Sequence, residues 1–234
     1  MTKTLDRIGA GCLILGPVSF AAAEFLFPGD DGTSADMLDG MTAARGLLAA
    51  AITVSFASIV FLIPAFFTLG ARPVNRGGAL IRSGVAVAYL ALLLNAVLLG
   101  VNVVFWQLAD PATGRDVAVG GIDAVTGSPA APVLISCHYL LVLGTLLLGA
   151  GLWRAGFGPR WAAAFVALCG VVDAVFGSFG DTADLIGGIV SDVMLIAGLC
   201  AYAWLLLREA HGPRSEVGSE GREWTGVDDG APVV

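Results

Sequence analysis

Residues 84–108, GVAVAYLALLLNAVLLGVNVVFWQL, decide the fold. The stretch holds no Asp, Glu, Lys or Arg, and its amide side chains are confined to Asn95, Asn102 and Gln107. An α-helix needs roughly 20 such residues to cross the hydrocarbon core of a bilayer. A helix apolar on every face has no side to offer to water. Working outward, five more runs of this kind follow at 8–27, 43–68, 133–153, 161–179 and 185–207. Their apolar residues are continuous rather than alternating, which excludes the two-residue period of a membrane β-barrel. Lipid cannot satisfy backbone N–H and C=O groups, so helices remain. The expectation is an all-α membrane protein: one bundle of six transmembrane helices within residues 1–207, then a disordered cytoplasmic tail over 208–234.

Composition agrees. Of 234 residues, 57% are hydrophobic and 13% charged. A soluble domain keeps about a quarter of its residues charged. The net charge of −7 sits in the connections and the tail, and it excludes the basic face that a nucleic-acid binder needs.

The basic residues orient the bundle. Lys3 and Arg7 precede the first segment. Arg72, Arg76 and Arg82 follow the second, Arg154 and Arg160 the fourth, and Arg208, Arg214 and Arg222 the sixth. Only Arg45 and Arg115 fall on the other side, so the 12 Lys+Arg divide 10 to 2. By the positive-inside rule both termini are cytoplasmic, and the acidic connections at 28–42, 109–132 and 180–184 face outward. Residues 28–42 read as a polar loop. Residues 109–132 read as a Gly-rich loop able to cover the outer mouth, ending at Ser128-Pro129 as cap and first residue of the fourth helix. Gly180–Asp184 reads as a tight hairpin, with Asp184 able to cap the sixth helix. Pro64 marks a kink in the second.

Lys3, Arg7, the run from Ile8 and Ala21-Ala22-Ala23 also resemble a cleaved signal peptide. The apolar run, however, continues through Phe25-Leu26-Phe27 to spanning length. Eleven of the basic residues are Arg and one is Lys, in a chain rich in Ala and Gly. That usage points to a GC-rich bacterial genome.

Chemistry is sparse. Cys12, Cys137, Cys169 and Cys200 lie one per segment with no C-x-x-C pair, as small core residues rather than a redox or disulfide set. His138 and His211 are the two histidines, too few for multi-haem ligation or a His-rich metal site. No G-x-S-x-G, H-E-x-x-H or phosphate-binding loop is present. No metal and no cofactor is expected.

Ionisable groups inside a bilayer are costly and therefore informative. They are Glu24 in the first segment, His138 in the fourth, Asp173 in the fifth and Asp192 in the sixth. Asn95 and Asn102 share one face of the third. All of these fall at mid-depth or toward the outer side, which suggests an outward-facing polar pocket above an apolar floor. The expected ligand-binding set is Asp173, Asp192, His138, Asn102, Asn95 and Glu24. Asn, His and Ser in membrane helices often only hydrogen-bond a neighbour, for about 0.6 kcal/mol. Glu24 and Asp184 lie near enough to the interface for solvation. Asp173 and Asp192 have no Lys or Arg within the membrane to pair with. Gly9/Gly16 and Gly144/Gly151, spaced by seven, fit close helix packing.

Leu152-Trp153-Arg154-Ala155 followed by Pro159-Arg160-Trp161-Ala162-Ala163-Ala164 resembles the connection between helices 4 and 5 of uncharacterised six-helix integral membrane proteins of actinobacteria. Leu15-Gly16-Pro17 and Ile63-Pro64-Ala65 fit the same pattern. The resemblance implies six helices and a bacterial cytoplasmic membrane, and it carries over no catalytic or binding residue.

Three functions remain open. One is a transporter-like or ligand-binding protein that handles a small molecule or ion, with proton coupling through the carboxyls and a histidine that titrates near neutrality. The second is a membrane-embedded enzyme on an isoprenoid or other lipid, with Asp173 or Asp192 as general acid. The third is an accessory protein packing against a membrane partner or a second copy of itself.

Overall fold

The computed structural model describes residues 3–27, 32–74, 76–176, 179 and 181–211, apart from the side chains of 181–184. The start of the first acidic connection at 28–31 and the tail from 212 onward lie outside the described residues. Eight α-helices occur among the described residues, with no strand. They are α1 (Lys3–Leu26), α2 (Ser34–Ala43), α3 (Arg45–Gly70), α4 (Gly78–Leu108), α5 (Arg115–Thr126), α6 (Ala131–Ala155), α7 (Arg160–Phe176) and α8 (Asp181–His211). Five of these, α1, α3, α4, α6 and α8, are long and apolar enough to cross a membrane. The chain is thus a multi-pass membrane protein. With 17 residues, α7 is the shortest helix of the bundle.

The helices close into a ring. Each packs against two neighbours, in the order α1, α3, α4, α6, α7, α8 and back to α1. Lipid supplies little hydrophobic drive between helices, so close backbone approach must supply the contact. Glycine provides it. A Cβ on Gly16 of α1 would lie 2.8 Å from Leu62 of α3, and one on Gly151 of α6 would lie 2.7 Å from Ile81 of α4. Gly170 of α7 faces Val142 of α6 in the same way. One apolar core runs through the ring, with Leu13, Leu62, Phe66, Leu148, Leu152 and Leu199 fully buried. Outward, every helix of the ring presents exposed apolar side chains, such as Phe25, Phe56, Leu93, Tyr139, Leu168 and Val193. That belt suits acyl chains.

Several boundaries depart from the sequence expectation. The stretches 28–42 and 109–132, read as loops, contain α2 and α5. Thr33 caps α2 in a reciprocal box: its hydroxyl accepts from the Asp36 N–H, and Asp36 accepts from the Thr33 N–H at 2.9 Å. Leu38 and Met41 of α2 and Ala118 and Ile122 of α5 bury together on Leu48, Phe105 and Ala109, a second core at one end of the ring. That end is called the capped end below. Ser34 donates to Asp123 at 2.5 Å, Arg115 pairs with Asp39, and Arg45 meets Asp110 at 2.8 Å.

The N-cap of α6 is Ala130, not Ser128, and Pro132 rather than Pro129 occupies its first turn. Asp184 is not a cap, because α8 begins at Asp181, and Arg208–His211 continue it beyond the expected end at 207. At the opposite, basic end, Arg72 binds Asp6 of α1 at 2.8 Å and Glu209 of α8 at 3.0 Å. This triad ties the α3–α4 connection to the seam where the ring closes.

Candidate functional site

Four ionisable side chains from four helices meet toward the capped end. Glu24 stands in the last turns of α1, His138 near the start of α6, Asp173 near the end of α7 and Asp192 in α8. The antiparallel order of the ring brings α1, α6, α7 and α8 into one sector, so residues far apart in the chain share a depth. His138 Nε2 lies 3.1 Å from Asp173 Oδ2. The Glu24 side chain hydrogen-bonds Asp192, with Asp173 close enough to act on Asp192 through its charge. Two carboxyls can share a hydrogen bond only when one of them carries the proton. Asp192 is 6% exposed, against 49% for the His138 side chain and 25% for that of Asp173. The cluster therefore holds one buried carboxyl, Asp192, beside the half-buried Asp173 and the exposed Glu24 and His138.

Cavities surround the cluster. One of about 290 Å³ lies between α1, α3, α4 and α6, lined by Glu24, His138, Asn95, Asn102, Ser55 and Ser58 among others. A narrow one of about 40 Å³ joins Glu24, His138, Asp173, Ser191 and Asp192 with Thr145 and Cys169. A third, of about 320 Å³, reaches the same four ionisable residues from the side, past Phe25, Leu185 and Ile189. All six residues expected from the sequence thus border these cavities, which share Glu24 and His138 as lining. Asn95 and Asn102 sit on the α4 wall, apart from the ionisable cluster. The side chain of Asp184 lies outside the described residues.

Two of the hydroxyls nearby are engaged within their own helices. Thr145 donates to the Leu141 carbonyl at 3.0 Å, and Ser58 to that of Ser55 at 2.7 Å. That is how membrane helices commonly satisfy Ser and Thr. The groups left for exchange with a ligand are the carboxyls, the imidazole, the two amides and the Ser55 and Ser191 hydroxyls. Beneath them lies the apolar core of Leu13, Leu62, Phe66 and Leu148.

The sequence reading missed the Asp6–Arg72–Glu209 triad. Asp6 was placed ahead of the first helix, yet it lies in the first turn of α1 and is 9% exposed. An acid buried at a helix start opposite a loop Arg is the signal that could have found it. Arg72 also sits over the Phe157 ring at 5.9 Å. Its Nε and the hydroxyl of Tyr202 are buried without a hydrogen-bond partner.

Among the described residues no group of three His, Cys, Asp or Glu is arranged to hold a metal ion. No family model matches the chain, and no curated protein or solved structure matches it.

Proposed function

We propose that the chain is a small-molecule- or ion-handling protein of a bacterial cytoplasmic membrane, and that it binds its solute in exchange for a proton at the Glu24–Asp192 and His138–Asp173 pairs. The observation that carries this is the convergence of these four residues from four helices onto neighbouring cavities of the apolar ring. Four ionisable groups gathered at this depth of a membrane without a role would be expensive. Held in two pairs, they can release or take up protons as a cation or a polar solute arrives. The Asn95 and Asn102 amides opposite supply neutral donors and acceptors.

Six spans with both termini cytoplasmic fit this role. With α7 as the sixth span, the basic connections gather at one end of the ring and the site opens toward the other. The positive-inside rule supports that orientation.

A lipid-modifying enzyme is the alternative, favoured by the lateral cavity that brings Asp173 and Asp192 to the lipid-facing side between Phe25 and Leu185. Thermal unfolding of the purified protein against alkali cations and simple alkylamines at two pH values tests the primary reading. Wild type gains stability with at least one cation, more strongly at higher pH, because the cation competes with the proton. The doubly substituted Asp173→Asn, Asp192→Asn protein folds and gains nothing. Equal stabilisation of both proteins refutes the assignment.

A further inference from the structure

A cavity larger than those beside the ionisable cluster lies elsewhere in the fold. It measures about 690 Å³ and lies beneath the α2–α5 cap, between the ends of α4 and α6. Small-molecule sites commonly occupy about 300–1,000 Å³. Phe27, Leu98, Val101, Phe105, Leu134 and Ile135 form apolar walls. Thr33, Ser34, Asn102, Thr126 and Ser128 add uncharged polar groups. None of the described residues that line it is charged.

Most of the described charges around this end have partners of their own, Asp116 excepted. Arg115 pairs with Asp39, Arg45 with Asp110, Ser34 with Asp123, and Thr33 with Asp36. An ion that left water for the cavity would meet no counter-charge among the described residues that line it, an unfavourable exchange. The polar groups also have a sense. The Ser34 hydroxyl already donates to Asp123, and that of Thr126 to the Ile122 carbonyl at 2.9 Å. Each oxygen keeps acceptor capacity. A guest is therefore matched by supplying O–H donors.

We propose that this cavity binds an uncharged single-chain amphiphile, with one acyl or isoprenyl chain against the apolar walls and a hydroxyl-bearing head toward Ser34, Thr126 and Asn102. The cavity shares Phe27, Leu98 and Asn102 with the smaller one beside Glu24 and His138, so the guest lies next to the ionisable cluster without touching it. The inference goes beyond proton exchange and stands independently of it.

Photo-crosslinking tests it. The full chain in nanodiscs is irradiated with a diazirine-bearing monoacylglycerol, and labelled peptides are mapped by mass spectrometry. Label is expected on 98–105 and 124–135. Monoolein or farnesol should compete at least about tenfold better than ionised oleate or a cationic oleylamine, since a bare charge loses more than that on entry. Methyl oleate, which lacks the O–H donor, should compete more weakly than monoolein. Ala124 lines the cavity and is exposed, so Ala124→Trp should fill the space and cut labelling severalfold. The Asp173→Asn, Asp192→Asn protein should label as wild type does, which separates this site from the proton-exchange site. Label spread evenly over the lipid-facing belt, or oleate competing as well as monoolein, overturns the proposal in wild type alone. Undiminished labelling of a folded Ala124→Trp protein overturns it too.

Discussion

Replacing Gly84 by alanine tests whether close backbone contact holds the ring together. A Cβ at this position of α4 would lie 2.8 Å from both the Gly144 carbonyl oxygen and the Leu148 Cα of α6. Both are backbone atoms of a helix, so no side chain can swing aside and the two helices must separate. Overpacking of this kind costs about 1–3 kcal/mol. Separation adds the dispersion lost along the rest of the interface. Against this, Gly→Ala in a helix gains about 0.5–1 kcal/mol from backbone entropy. The net expectation is a destabilisation of about 1–2 kcal/mol.

Gly100 lies on the same helix with nothing within 4 Å of its would-be Cβ, and Gly11 of α1 is the same. There only the entropic gain applies, so the sign reverses. Cys12, Cys137 and Cys169 are buried and carry free thiols, so a thiol-reactive dye reports unfolding directly. One kcal/mol moves the midpoint of a chain this long by about 2–4 °C. Gly84→Ala should therefore melt about 2–8 °C below wild type, and Gly100→Ala at or slightly above it. A Gly84→Ala protein melting at or above wild type would show that α4 and α6 do not touch as described. Equal losses at Gly84 and Gly100 would show that contact geometry is irrelevant to the effect.

Arg72→Ala leaves Asp6 buried without its partner and removes the contact with Phe157; with the arginine side chain 15% exposed, a loss of about 2–3 kcal/mol is expected by thermal unfolding, most of it recovered in a double Asp6→Asn, Arg72→Ala variant. The Asp39 carboxyl is held below its ordinary value of 3.8, mainly by its hydrogen bond from Arg115, and Asp36 is lowered by its bonds with Thr33. A carboxyl whose value falls on folding contributes stability above 3.8, and that contribution is lost as pH drops through the lowered value. Amide hydrogen exchange in α2 should accordingly rise only in strong acid, whereas Arg115→Gln should raise it already at neutral pH; identical profiles would remove the pair from the cap. Reporter fusions after Gly32 and Gly121 should read outside, and those after Gly78 and the C-terminus inside, with the reverse pattern at Gly78 overturning the orientation.

The membrane itself made much of this legible. A bilayer admits few backbone solutions, so continuous apolar runs such as 84–108 identify helices without any knowledge of their partners. Boundaries and short helices were harder to read. Asp181–Asp184 has the composition of a turn, yet it forms the first turn of α8, where acidic residues suit the helix dipole. The burial of Leu38, Met41, Ala118 and Ile122 depends on α2 meeting α5, a contact that neither stretch announces alone. In the site, cost picked out Glu24, His138, Asp173 and Asp192, but cost does not say who meets whom. The pairing of His138 with Asp173, and of Glu24 with Asp192, follows from the order in which the ring closes.

That closure also divides the interior into unlike walls. The sector of α1, α6, α7 and α8 carries every ionisable group of the site, while α3 and α4 contribute only Ser55, Ser58, Asn95 and Asn102. A solute held between them faces charge or proton on one side and neutral amides on the other, an arrangement that orients a polar molecule as well as binding it. Toward the basic end the buried layer of Leu13, Leu62, Phe66, Leu148, Leu152 and Leu199 is apolar, with the buried Thr68 and Tyr202 hydroxyls as its neutral polar groups and no charge among its described residues. Carrying an ion through that layer unaided would mean exchanging most of its hydration for two neutral hydroxyls. The proposed function is therefore better served by a moving carrier than by an open channel. Passage would require α1 and α8 to move against α3 and α4, and the Asp6–Arg72–Glu209 triad fastens those helices together at the basic end. Weakening the triad should therefore speed exchange between the two sides even as it lowers stability, a pairing of effects that a purely structural triad would not produce.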